Sequence, residues 1–169
     1  EVDNNYRNGY DRIFSKKKYE SPKKVFVTWD EIDEWTNTLA DLTRAGNYDA
    51  IIGVQRGGLI PAVLLSHKLN MPMHTIQFSL RDLKQVGNID LPKKGRYLVV
   101  DDINDTGETF SQLQDKFNQD GLTVKYAVLH NNVPSKFTVD HYALEIDKSL
   151  SKHARLNVGI KTLNINFLK

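Results

Sequence analysis

The chemistry-bearing residues of this chain crowd into one stretch, Tyr97 to Phe110. Tyr97 to Val100 is an apolar, β-branched run that reads as a buried strand. Asp101 and Asp102 stand at its carboxyl end. Asp105, Thr106, Gly107, Glu108 and Thr109 then form a small polar turn opening a helix from about Phe110. In an open α/β sheet, ligands bind outside the carboxyl ends of the strands. The following helix presents unpaired N–H groups and the positive end of its dipole, which suit a phosphate. Gly107 allows close backbone approach, and the Thr106 and Thr109 hydroxyls can donate to phosphate oxygens. Adjacent carboxylates can hold Mg²⁺ or a vicinal diol. The stretch therefore predicts a ligand with a phosphate at one end, hydroxyls in the middle and an accompanying metal.

A second stretch, Gln55-Arg56-Gly57-Gly58, also ends a predicted strand and precedes a helix. Two glycines expose backbone N–H groups and the arginine adds charge, which together make an anion cradle. Alone it is an ordinary turn. Beside an Asp-Thr-Gly-x-Thr turn it completes two anion sites flanking two carboxylates, fitting a phosphate at one end of the substrate and a diphosphate at the other.

The elements that must position these stretches follow in chain order. Residues 1–24 are polar and lysine-rich and read as an N-terminal extension; 25–169 read as a single domain. Val25 to Val27 is a short strand. Thr28 and Glu31 fit a capping box, and Ile32, Trp35, Leu39 and Leu42 form the core face of the helix that follows. Ala50 to Val54 is a second strand, with a helix continuing to about Leu69. His74 to Phe78 is a third strand, and Ser79 to Lys94 a long loop or hairpin. After the central strand and turn, helix 110–119 buries Phe110, Leu113 and Phe117. Val124 to Leu129, Tyr142 to Ile146 and Leu163 to Phe167 read as further strands. Alternating strands and helices predict an α/β fold with a mostly parallel sheet and right-handed crossovers.

Composition narrows the function classes. The chain has 169 residues, a net charge of +2 and no cysteine. Thiol nucleophiles, disulfides and Cys-based metal sites are excluded, and the small charge gives no argument for nucleic acid. The five histidines show no ligand spacing. No apolar run reaches membrane-spanning length and no secretory pattern opens the sequence, so the expectation is a cytoplasmic protein with no membrane partner.

Val-Val-Asp-Asp-Ile-Asn-Asp-Thr-Gly-Glu-Thr resembles the phosphoribosyl-pyrophosphate (PRPP) loop of type I phosphoribosyltransferases. With Val27-Thr28-Trp29-Asp30 and Ile52 to Pro61 in the same order, the resemblance is to the xanthine–guanine branch and runs from about Val25 to Leu129. It implies that fold, with a small C-terminal hood at about 133–169, and Mg²⁺-dependent transfer of phosphoribosyl from PRPP to a 6-oxopurine in purine salvage. By that resemblance Asp101 and Asp102 hold the ribose hydroxyls, and Asp102 also contacts Mg²⁺. Asn104 and Asp105 to Thr109 surround the ribose 5′-phosphate, and Asp105 is the general acid or base. Gln55, Arg56, Gly57 and Gly58 hold pyrophosphate, with a cis Gln55–Arg56 bond. Ser79 to Lys94 closes over the reaction. PRPP and a nucleobase are the implied partners, and a dimer or tetramer the implied assembly.

The sequence departs from the branch in the base pocket. A lysine there follows the strand corresponding to Tyr126–Leu129 and reads the purine 6-oxo group. Here that position is Asn132, with Lys136 four residues on. The position of the stacking aromatic is Ser151, with Leu150, His153 and Leu156 nearby. Three other readings stay open: a phosphoribosyltransferase for a pyrimidine or modified base, a non-catalytic PRPP or nucleotide binder acting through RNA and the basic arm, and a phospho-receiver domain.

Overall fold

The computed structural model describes residues 27–78, 89 and 91–147, and the backbone of 155–158 and 161–164. The extension 1–24, most of the loop Ser79 to Lys94, and Ser151 lie outside the described residues. The elements run α1 (Trp29–Thr43), a 3₁₀ turn (Arg44–Gly46), β1 (Ala50–Gln55), α2 (Leu59–Leu69), β2 (Met73–Gln77) and β3 (Arg96–Asn104). They continue with α3 (Glu108–Asp120), β4 (Thr123–Asn132), β5 (His141–Ile146), β6 (Arg155–Val158) and β7 (Lys161–Asn164).

The strands form one sheet in the order β2-β1-β3-β4-β5-β6-β7. The first five are mutually parallel, and β6 and β7 add antiparallel at the edge. Alternation along β3 sorts the core into two layers. Leu98 and Val100 join Trp35, Leu39, Ala62 and Leu65 of α1 and α2 on one face. Tyr97 and Val99 join Phe110, Leu113 and Phe117 of α3 on the other.

That sorting opens the site. From β1 the chain turns through α2 to β2 on one side, then returns to place β3 on the other side of β1. The connections leaving β1 and β3 therefore diverge to opposite faces. The crevice between their carboxyl ends is the topological switch point, where ligands bind in open α/β sheets.

Local signals shape the frame. Thr28 caps α1 reciprocally: the Glu31 N–H donates to Thr28 Oγ1 at 3.2 Å, and the Thr28 N–H donates to Glu31 Oε2 at 2.7 Å. Asn47, Asn70 and Gly121 close helical segments in the left-handed conformation.

Three expectations need correction. Val27 belongs to no strand and is 40% exposed, while Val25 and Phe26 lie outside the described residues. Leu42 is 49% exposed, because the buried face of α1 runs through Trp35, Thr36, Leu39, Ala40 and Thr43. Thr36 and Thr43 bury without cost by donating their hydroxyls to the Ile32 and Leu39 carbonyls, each at 2.6 Å. Strand β3 also runs past Val100 to Asn104, so the acid pair lies within the strand rather than after it. Ladder pairing of Asp101 with Val128 and of Asn104 with Asn131 holds this extension.

Truncating the fully buried Leu113 to Ala should cost roughly 2–5 kcal/mol in urea denaturation. The same change at Leu42 should stay within about 0.5 kcal/mol, reversing the order its helical position suggests.

Candidate active site

The cradle after β1 is built by close packing. The Gln55–Arg56 peptide bond is cis, as the sequence resemblance implies. Gln55 is tied sideways to β2, its Nε2 donating to Thr75 Oγ1 at 3.1 Å, while Arg56 and Gly57 are exposed at the turn. Gly58 is buried and caps α2. A Cβ on Gly58 would run into the Val100 carbonyl oxygen and the Asp101 Cα; one on Gly57 would overlap the Asp102 carboxylate. Gly58 is thus required by the backbone of β3, quite apart from any ligand, whereas a side chain at Gly57 would have to displace the Asp102 carboxylate.

The same approach sets the electrostatics of the acid pair. Burial, then the neighbouring Asp102 charge, pushes the Asp101 carboxyl up to about 8. N–H groups of Asp102 and Gly58 donate to it and oppose the rise without cancelling it. The raised value reflects burial first and the neighbouring negative charge second, and a cation would offset both. Among the described residues no group of three or more His, Asp or Glu could hold a metal by itself. Two carboxylates fit Mg²⁺, which completes its shell from substrate oxygens and water. Asp101 and Asp102 are the residues that would hold it.

The turn after β3 is fixed from beneath. Gly107 takes φ 85°, and a Cβ there would meet the backbone N and Cβ of Phe137 at 2.5 and 2.7 Å. Helix α3 starts at Glu108, earlier than expected, so Glu108 and Thr109 occupy its first turn, where N–H groups lack helical partners. Asp105, Thr106, Gly107 and Glu108 line a cavity of about 650 Å³. Asn132, Pro134 and Lys136 close it from the β4 side, and Ser111 and Gln112 extend it along α3. The tertiary fold therefore brings Asn132 and Lys136 to the same cavity as Asp105, and the Lys136 N–H donates to the Thr106 carbonyl at 3.1 Å.

Asn104 departs from expectation. It is 2% exposed, and its side chain faces inward. Its Nδ2 donates to Asn131 Oδ1 at 2.9 Å and to the Phe137 carbonyl at 2.8 Å, and its Oδ1 accepts from Ser135 Oγ at 3.0 Å. That side chain braces the turn, and both of its amide hydrogens are used within the protein. Asn131, Ser135 and Phe137 went unrecognised in the sequence, as did Ser111 and Gln112. The pair Asn104/Asn131, polar residues ending two apolar strands, was the available signal.

Because the folded Asp101 retains its proton to about pH 8 while an unfolded aspartate loses it near pH 4, the unfolded chain binds fewer protons between those limits. Folding stability should fall as pH rises through that window. In the ligand-free protein, Asp101→Asn should flatten this fall, leaving the variant several degrees higher in Tm than the wild type at pH 8 but not at pH 4. Parallel melting curves in both proteins would test it.

Comparison with known proteins agrees with this geometry. The family model described as phosphoribosyl transferase domain matches residues 28–162. A xanthine-guanine phosphoribosyltransferase of Idiomarina loihiensis is 33% identical over 121 residues, covering 64% of this chain and 74% of the relative. A purine phosphoribosyltransferase from Pyrococcus horikoshii superposes with a TM-score of 0.67 at 32% identity, covering 73% of this chain and 88% of that one. The Helicobacter pylori xanthine-guanine-hypoxanthine enzyme shares the fold, with a TM-score of 0.59 at 21% identity over 68% of this chain and 82% of that one. With a family model that matches residues 28–162, this chain belongs to the phosphoribosyl transferase domain family.

Proposed function

We propose that this chain transfers the phosphoribosyl group of PRPP to a 6-oxopurine base, with Mg²⁺, giving the nucleoside 5′-monophosphate and pyrophosphate. The observation that carries the reading is the convergence of two anion cradles on Asp101 and Asp102 at the β1/β3 switch point. The named activities of the Idiomarina and Pyrococcus relatives point the same way.

In this reading the Gln55–Gly58 turn and the Arg56 guanidinium bind the diphosphate. The first turn of α3 and the Thr106 hydroxyl bind the 5′-phosphate, with Lys136 at the cavity wall. Asp101 and Asp102 take the ribose hydroxyls. Bound Mg²⁺, held by Asp102, would supply charge neutralisation at the diphosphate. As the base nitrogen bonds to C1, the C1–O bond breaks and its electron pair leaves with pyrophosphate. The base N–H proton passes to Asp105. Positioning and charge stabilisation supply most of the acceleration, and closure over the site excludes the water that would hydrolyse PRPP. Residues from about 133 onward serve as the hood over the base, and the chain works as a cytoplasmic homo-oligomer.

One observation favours a second reading, in which the acceptor is another base. The position of the carbonyl-reading lysine holds Asn132, and its amide is engaged by Asp105.

Incubating the protein with PRPP, Mg²⁺ and, separately, hypoxanthine, guanine, xanthine, adenine, uracil or orotate should yield nucleotide with the 6-oxopurines. Turnover confined to another base would replace the substrate, and PRPP binding without turnover would overturn the enzymatic reading. Asp105→Asn should lose about 10²- to 10⁴-fold in turnover while PRPP binding survives. Equal loss of both would make Asp105 structural.

A further inference from the structure

Asn132 is the last residue of β4, and its neighbour Asn131 lies in register with Asn104 of β3. One step past that rung, Asn132 reaches Asp105 across the crevice. Its Nδ2 donates to Asp105 Oδ1 at 2.8 Å and to the Asp105 backbone carbonyl at 3.2 Å. Asn132 is 5% exposed while Asp105 is exposed, so the donor is held inside the protein and the carboxylate stands at its surface. Its own carbonyl accepts the Ser135 N–H at 2.9 Å, which anchors its backbone. The two acceptors identify which end of the amide is the NH₂ group, and they use both of its hydrogens. The remaining atom, Oδ1, is buried and makes no hydrogen bond among the described residues.

We propose that Asn132 is a positioning residue for Asp105, clamping its carboxylate and its backbone at once, and that it does not read the carbonyl of the base. The inference rests on the phosphoribosyl-transfer reading and assigns one residue's work within it. An amide whose hydrogens are both engaged has none to offer a 6-oxo group. A side chain pinned by a buried donor keeps one rotamer, so a proton acceptor meets the base N–H in fixed geometry. A hydrogen bond donated to a carboxylate also favours its ionised, proton-accepting form. Two other charged groups line the same cavity, Glu108 from α3 and Lys136 from the β4–β5 connection, while Asp101 and Asp102 lie upstream on β3. Clamping at the backbone carbonyl ties the position of this carboxylate to the turn that carries Thr106 and Gly107.

Two substitutions separate this role from the alternatives. Asn132→Leu keeps the branched heavy-atom outline, though not the volume, and removes the donor. It should lower kcat by about tenfold or more, leave KM for PRPP within about twofold, and move the acidic limb of the kcat/KM profile to higher pH. Asn132→Asp replaces the donor with a group that donates only when protonated, so its activity relative to Asn132→Leu should recover as pH falls. Unchanged kcat with a raised KM for the base would overturn the proposal, because Asn132 would then be a base reader. A parallel rise in KM for PRPP and loss of kcat, with no change in the pH profile, would also overturn it, making Asn132 a support of the turn alone. If wild type turns over no base, the phosphoribosyl-transfer reading falls separately. Carbon-13 NMR of the Asp105 carboxyl then still decides: its titration should move to higher pH in Asn132→Leu, and an unmoved titration refutes the clamp.

Discussion

The close approach of β3 to the turn after β1 is the constraint on which the site depends. Gly58 lies so near the backbone of Val100 and Asp101 that no side chain fits there, and Gly57 lies against the Asp102 carboxylate. This contact sets the turn after β1 against the acid pair of β3. Burial at this contact and then the adjacent Asp102 charge hold a proton on Asp101 toward pH 8. Favourable parallel pairing of β1 with β3 and their apolar burial on both faces outweigh the cost of crowding two acids at the strand ends. Such local frustration, relieved only when a ligand or cation arrives, is characteristic of functional sites.

A second constraint holds the phosphate turn. A polar residue at the end of a buried strand must find partners or forfeit its desolvation energy. Asn104 finds them in Asn131, Ser135 and Phe137. Beneath them the rings of Phe110, Tyr126 and Phe137 pack with centroids 4.9–5.5 Å apart. The segment after β4 is thereby pressed onto Gly107, where the positive φ favours glycine and a Cβ would meet Phe137. The turn is held on one side by an amide network and on the other by aromatic packing.

Much of this was legible in the sequence because the signals are local. The capping box at Thr28 and Glu31, the helix stops at Asn47 and Gly121, and the alternation of strand and helix each depend on a few neighbouring residues. The two ligand turns were legible for the same reason: glycine, threonine and aspartate at fixed spacing have few other uses at a strand-to-helix junction. Leu42 shows the limit. Its spacing puts it near the apolar face of α1, but Thr36 and Thr43 return their hydroxyls to the helix and take the buried positions instead.

By itself the sequence determined the α/β order of elements and put two glycine-containing turns and an acid pair at the ends of strands, since each follows from backbone preference and side-chain chemistry over a short span. Only the tertiary structure decided what the intervening polar residues do. Asn104 reads as a ligand contact and proves to be an inward brace; Asn132 reads as part of a base pocket and proves to be bonded to Asp105. The reason is geometric. These partners are 27 residues apart along the chain and meet only because β3 and β4 pair in one register. Hydrogen-bond capacity is local to a residue, but the partner that uses it is chosen by the sheet.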